Sequence, residues 1–136
     1  MGSEMCIRDS TRPLPGVSFV VPVYNKALHL PRVLAQIKAQ RGSFQRQYVF
    51  VNDGSTDNSL EILRKETASW NDSIIVSQEN QGSAGATNTG ITLSNQPYIK
   101  FVDADDLLHE DATLHLLEAL KDSEACLIFG LSLIHI

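Results

Sequence analysis

The sequence predicts an α/β fold, a Rossmann-like open and mainly parallel sheet with helices on both faces. Three observations carry the prediction. Short β-branched runs alternate along the chain with segments of helical apolar spacing. The runs are apolar on both faces, as strands covered by helices on each side must be. The polar residues with useful chemistry stand just past the ends of those runs, the edge where ligands bind in open α/β sheets.

The elements follow in order. The run VSFVV at 17–21 reads as a buried strand ended by Pro22. Leu30, Val33, Leu34 and Ile37 share one helical face, and Pro31 suits a first turn. A second strand is read at 48–51. The turn at 52–57 follows, with Ser55 or Asp57 as helix cap. Leu60, Leu63, Thr67 and Trp70 mark one face of the next helix, which runs out near Asn71 and Asp72. A third strand is expected at 73–77, a polar Gly-bearing loop at 79–85, and a short helix from there to about Leu93. Residues 98–102 give a fourth strand; Leu114, Leu117 and Leu120 mark a further helix; 125–129 give a fifth strand. Right-handed crossovers put the C-terminal ends of the parallel strands on one edge.

Composition narrows the function. The chain has 136 residues, enough for one domain with a real core, 43% hydrophobic and 20% charged. A net charge of −5 without a Lys/Arg cluster argues against a nucleic-acid partner. Cys6 and Cys126 form no disulfide framework or metal spacing, and Cys126 reads as a small core residue. No apolar stretch reaches bilayer length, and no signal-peptide apolar region is visible. The ends, 1–11 and 131–136, look like translated sequencing-adapter read-through rather than a natural arm and a natural last strand. Residues 12–130 are then expected to be an internal piece of a longer protein.

Asp103-Ala104-Asp105-Asp106 sets three acids within four residues at the mouth of a strand. Like charges this close repel, and a divalent cation relieves the repulsion. Oxygen-only ligands suit Mg²⁺ or Mn²⁺, which also hold substrate phosphates. The simpler reading is one helix-capping Asp beside solvated neighbours. Asp53-Gly54 is either a plain turn or an acceptor for the N–H of a base, with Asn52 structural. Pro22-Val23-Tyr24-Asn25 offers an aromatic that stacks on a flat base or merely covers the sheet edge, and an Asn that suits a helix cap. Gly82-Ser83-Ala84-Gly85 is weak as a phosphate cradle; neither G-x-G-x-x-G nor G-x-x-x-x-G-K-[ST] occurs, which counts against dinucleotide binding and P-loop chemistry. Asn88 and Gly90 share that segment, with loop closure and packing as the simpler reading. His29, His109, His115 and His135 form no arguable catalytic set.

In order, VSFVVPVYN at 17–25, VFVNDGSTDNS at 49–59, ENQGSAGATNTGI at 79–91 and YIKFVDADD at 98–106 resemble the N-terminal half of family 2 glycosyltransferases, which have the GT-A fold. The resemblance implies transfer of a sugar from a nucleotide-diphosphate donor, often a UDP-sugar, usually with inversion. It implies a nucleotide site of Pro22, Tyr24, Asn25, Asp53, Gly82, Asn88 and Asp103. Tyr24 and Asp53 would hold the base, and Asp103 would sit near the ribose or donor sugar. Asp105, the second acid of the D-x-D motif, would hold Mn²⁺ or Mg²⁺ bridging the phosphates, with Asp106 as alternative or additional ligand. It further implies a saccharide or lipid-linked acceptor, cell-wall or polysaccharide synthesis, and a cytoplasmic parent protein able to sit at the inner membrane face. Two departures stand out. Asn52 replaces a common Asp, and Thr87 replaces the Arg of the family's A-R-N-x-G segment, removing a positive charge near the phosphates. The family's catalytic base and acceptor site fall in the C-terminal half, beyond Ile136; Glu118 and Glu124 do not substitute. The chain is therefore expected to be a donor-binding fragment. The rival readings are a nucleotidyltransferase, for which only Lys26 follows the first strand, and a non-catalytic nucleotide-binding or interaction domain.

Overall fold

The computed structural model of the chain describes residues 14–105, 107–121, 127–128 and 133–135. Four parallel strands form the body of the sheet: β1 (Val17–Val23), β2 (Arg46–Asp53), β3 (Ser73–Gln78) and β4 (Tyr98–Phe101). Helices α1 (Leu30–Lys38), α2 (Ser59–Glu66) and α3 (Gly82–Leu93) connect them, and α4 (Ala112–Lys121) follows β4. Two short strands, β5 (Leu127–Ile128) and β6 (Leu133–His135), complete the order β3-β2-β1-β4-β6-β5, with β6 antiparallel to both β4 and β5. Leu133–His135, placed by sequence in a foreign tail, thus lies beside β4. Residues 1–11, Cys126, Glu124 and Asp106 lie outside the described residues.

Two apolar layers hold the sheet. On one face Val17, Phe19, Val21, Tyr48 and Phe50 meet the buried sides of α1, α2 and α4. Leu30, Val33, Leu34 and Ile37 are all buried, as their spacing predicts. The Phe19 and Tyr48 rings stack at 5.6 Å, and Trp70 meets Tyr48 edge-on at 4.8 Å. The opposite face carries a smaller layer of Val20, Val49, Val51 and Ile99 under Ala86 of α3.

Several boundaries differ from the sequence reading: β2 runs from Arg46 to Asp53 rather than over 48–51, so Asn52 and Asp53 end the strand instead of opening the turn, and β3 and β4 each shift by one residue at their ends. The first strand runs through Pro22 to Val23. Pairing of β1 with β4 spans only Val17 to Val20, so at Pro22 the strand has β2 on one side only and the missing N–H costs no ladder bond there. Residues 82–85 are the first turn of α3 rather than a loop. Glycine disfavours helix, but packing of Ala86 and Gly90 against the sheet overrides the local preference. The second helix ends at Glu66, so Trp70 lies beyond it in a turn where its N–H donates to the Thr67 carbonyl. On α4 the buried residues are Thr113, Leu116 and Leu117, while Leu114 is half-buried.

Candidate functional site

The C-terminal ends of β1, β2 and β4 open onto a cleft of about 370 Å³. The sheet order changes direction between β1 and β4, and the cleft lies at that switch point. Pro22, Tyr24, Asp53, Gly82, Asp103 and Asp105 all line it, so six of the nine residues named from sequence converge here.

The loop after β1 is fastened to the loop after β2. The Asn25, Lys26 and Ala27 backbone N–H groups donate to Ser55 Oγ (3.1 Å), Ser59 Oγ (3.0 Å) and Asp57 Oδ2 (3.2 Å). In return Asn25 Oδ1 accepts from Thr56 N–H at 2.7 Å and Asp57 N–H at 3.3 Å. Asn25 adopts φ +52°, a left-handed conformation that Asn tolerates. Its side chain is absent from the cleft lining and does not cap α1; it ties the two loops together, leaving Tyr24 45% exposed beside the cleft. Ser55 Oγ accepts from Asn25 rather than from a helix N–H; Asp57 Oδ1 accepts from Ser59 N–H at 2.9 Å and so serves the start of α2. Burial pulls the Asp57 carboxyl up, but bonds from Ser59 and from backbone N–H groups outweigh it and hold the carboxyl below its usual range.

Asp53 is 3% exposed. Its Oδ1 accepts from Gln81 N–H at 2.8 Å and from Gln78 Nε2 at 3.0 Å. Asn80 Nδ2 donates to the Asp53 backbone carbonyl at 3.2 Å. Gly54 makes the turn after it, with φ +76° and only 2.9 Å between a would-be Cβ and the Asn80 nitrogen. Asn52 is structural, its amide donating to Ser77 Oγ at 3.2 Å.

The acid loop follows β4. Lys26 Nζ donates to Asp105 Oδ2 at 3.0 Å, and Arg32 Nη2 to the Asp105 carbonyl at 3.3 Å. The hydrogen bond and charge of Lys26 hold the Asp105 carboxyl below the usual carboxylate range. Further along, Gln36 Oε1 accepts from Leu108 N–H, and the buried Gln40 bonds the His109 carbonyl and Thr113, so α1 and the residues just after it strap down the segment after the acids. Asp103 is exposed at the cleft.

Asn88 is exposed on α3 and outside the cleft lining. Sequence reasoning gave no role at the site to Asn80, Gln78 or Thr89, and noted Lys26 only as a lone basic residue. Lys26 could have been found as the one cation directly after the first strand motif. The others depend on strand register, which the sequence does not display.

Comparison with known proteins bears on the family and the fold. Residues 18–133 match the profile of Glycosyl transferase family 2. The poly-beta-1,6-N-acetyl-D-glucosamine synthase of Staphylococcus aureus (strain COL) is 33% identical over 109 residues, covering 79% of this chain and 26% of that protein. Glycosyltransferase GlyG of Streptococcus pneumoniae serotype 4 is 34% identical over 116 residues, covering 84% of this chain and 38% of that protein. The chain thus spans well under half the length of these relatives. Among solved structures, the mannosyltransferase PcManGT of Pyrobaculum calidifontis, in complex with GDP-Man and Mn²⁺, superposes with a TM-score of 0.73 at 26% identity, over 82% of this chain and 34% of that one. S. aureus TarS 1-349 in complex with UDP superposes at 0.75 and 20% identity, over 82% and 33%, and speaks to the fold alone. The family profile, the relatives and the shared architecture lead to one conclusion: the chain belongs to glycosyl transferase family 2 and has the GT-A fold.

Proposed function

We propose that the chain is the donor-binding part of an inverting glycosyltransferase that takes its sugar from a nucleotide diphosphate, a UDP-sugar by preference. The observation that carries this is the gathering of Tyr24, Asp53, Asp103 and Asp105 from three strand ends into one cleft. Tyr24 offers a ring face for the base, and Asp53 a fixed acceptor for a base N–H. The solved neighbours with UDP or with GDP-Man and Mn²⁺ support a nucleotide-sugar reading.

The donor set suits Mn²⁺ or Mg²⁺. Among the described residues no group of three or more His, Cys, Asp or Glu could cage a metal. Such ions need less than that, since they bind through one or two carboxylates plus substrate phosphates and water. Asp105 is the first ligand, with Asp103 beside it and Asp106 as a further candidate. When bound, the ion neutralises charge developing on the departing diphosphate. Lys26 holds Asp105 in an ion pair at 3.0 Å, a partner that a bound cation would have to displace or share. Gly82 and Ser83, at the start of α3, line the same wall. Glu118 is exposed and outside the cleft lining, so it is not assigned the deprotonation of the acceptor. The saccharide or lipid-linked acceptor, a role in polysaccharide or cell-wall synthesis, and the cytoplasmic placement at the inner membrane face belong to the same proposal. No helix among the described residues is long and apolar enough to cross a membrane.

Calorimetric titration of UDP, with Mn²⁺ or with EDTA, tests the reading. Binding is expected to need the metal, and Asp105→Ala is expected to weaken it at least tenfold, about 1.4 kcal/mol. Binding indifferent to both EDTA and Asp105→Ala, or no binding by folded protein, overturns the reading.

A further inference from the structure

Asp53 is held in an unusual way for a carboxylate expected to face a ligand. Both of its side-chain hydrogen bonds fall on the same oxygen, Oδ1. Among the described residues no sealed side-chain oxygen or nitrogen lacks a partner, so Oδ2, which makes none of those bonds, is reached from the cleft. One oxygen is therefore occupied and the other presented.

The occupied side is itself fixed. Gln78 stands opposite Asp53 in the β2–β3 register, and its Nε2 donates to Oδ1 at 3.0 Å. A carboxylate only accepts, so the amide nitrogen must face it and Oε1 must face away. There Thr89 Oγ1 donates to Oε1 at 2.7 Å, shorter than its 3.1 Å approach to the Gly85 carbonyl on its own helix. The order Thr89 to Gln78 to Asp53 gives every group one consistent orientation.

We propose that Gln78 and Thr89 are positioning residues which make Asp53 a one-oxygen acceptor and so select the nucleobase. This rests on the reading of Asp53 as the base acceptor. Uracil offers a single ring N–H, which one oxygen satisfies. Guanine offers a ring N–H beside an amino group, a pair suited to both oxygens of a free carboxylate, and Oδ1 is already taken. Cytosine offers a ring acceptor and meets Oδ2 with repulsion. The same arrangement fixes what an amide does at this position. In Asp53→Asn the oxygen stays with Gln81 N–H and Gln78, and the amide nitrogen turns to the cleft as a donor.

Titration of UDP, GDP and CDP into the full chain with Mn²⁺ provides the test. Wild-type protein is expected to prefer UDP. Gln78→Leu is expected to cut the UDP:GDP preference roughly tenfold, because Oδ1, then holding only the Gln81 N–H, has a lone pair free for the guanine amino group. Thr89→Val should move the ratio the same way, while Thr89→Ser, which keeps the hydroxyl, should restore it. Asp53→Asn should invert the UDP:CDP preference. If Asp53→Asn leaves UDP binding untouched, or the wild type binds no nucleotide, the base-acceptor reading falls and this inference with it. If Asp53→Asn weakens UDP but Gln78→Leu and Thr89→Val leave the UDP:GDP ratio unchanged, the acceptor reading stands and the positioning roles are overturned. Circular dichroism establishes folding for each variant; should Gln78→Leu not fold, the Thr89 pair decides alone.

Discussion

Asp57 is not among the residues that line the cleft, yet it fastens the loop that carries Tyr24 and Lys26. It accepts from Ala27 in the loop after β1 and from Ser59 at the start of α2. These bonds hold its carboxyl below the unfolded value. The stabilisation is therefore complete above the ordinary carboxylate range near pH 4 and is lost as pH falls through the lower folded value. Asp57→Asn is expected to be less stable than wild type at neutral pH, with the gap closing on acidification. Urea melts at pH 7 and near pH 3 check this; an equal gap at both values refutes it. The residues at this scale were unevenly legible. Asp53 announces itself by closing a strand, and Tyr24 and Asp105 by standing just past strand ends. Gln78 and Thr89 do not, because a Gln at the end of a strand and a Thr within a helix are ordinary until the β2–β3 register sets Gln78 opposite Asp53.

Among the elements, α3 depends most on its neighbours. It carries Gly82, Gly85 and Gly90 and buries only Ala86 and Gly90. A Cβ on Gly90 would come within 2.3 Å of Val20 Cγ1 in the middle of β1. Val20 is fully buried and has nowhere to move. Glycine at 90 thus sets the distance between helix and sheet, and the other end of the same helix forms the cleft wall at Gly82 and Ser83. Gly90→Ala is expected to destabilise the fold by roughly 1–3 kcal/mol despite alanine's better helix propensity. A thermal melt measures it, and an unchanged or higher midpoint contradicts the close contact. The helix was the hardest element to delimit from sequence, since its first turn is glycine-rich. The helix of Leu30, Val33, Leu34 and Ile37 was the easiest, since its apolar spacing and its burial coincide.

At the scale of the whole molecule, the alternation of apolar runs and amphipathic segments was enough to specify a parallel sheet between helices. The antiparallel placement of β6 beside β4 was not, because three apolar-flanked residues carry no directional signal. The strand order has a kinetic meaning as well. β1 meets β2 across about 30 residues of chain and β2 meets β3 across about 25, whereas β1 meets β4 across about 80. Closing the longest loop carries the largest entropic cost before any contact rewards it. The wall bearing Asp53 belongs to the short-range half of the sheet, and the wall bearing Asp103 and Asp105 to the long-range half. Trp70, the only tryptophan, packs on Tyr48 and Phe50 of β2 and reports the first half. In stopped-flow refolding its fluorescence is expected to recover before the chain regains nucleotide binding, and a single shared rate would show the two walls arriving together. The switch point that gives the cleft its place in the sheet thus also means that the cleft is complete only once the longest span, from β1 to β4, has closed.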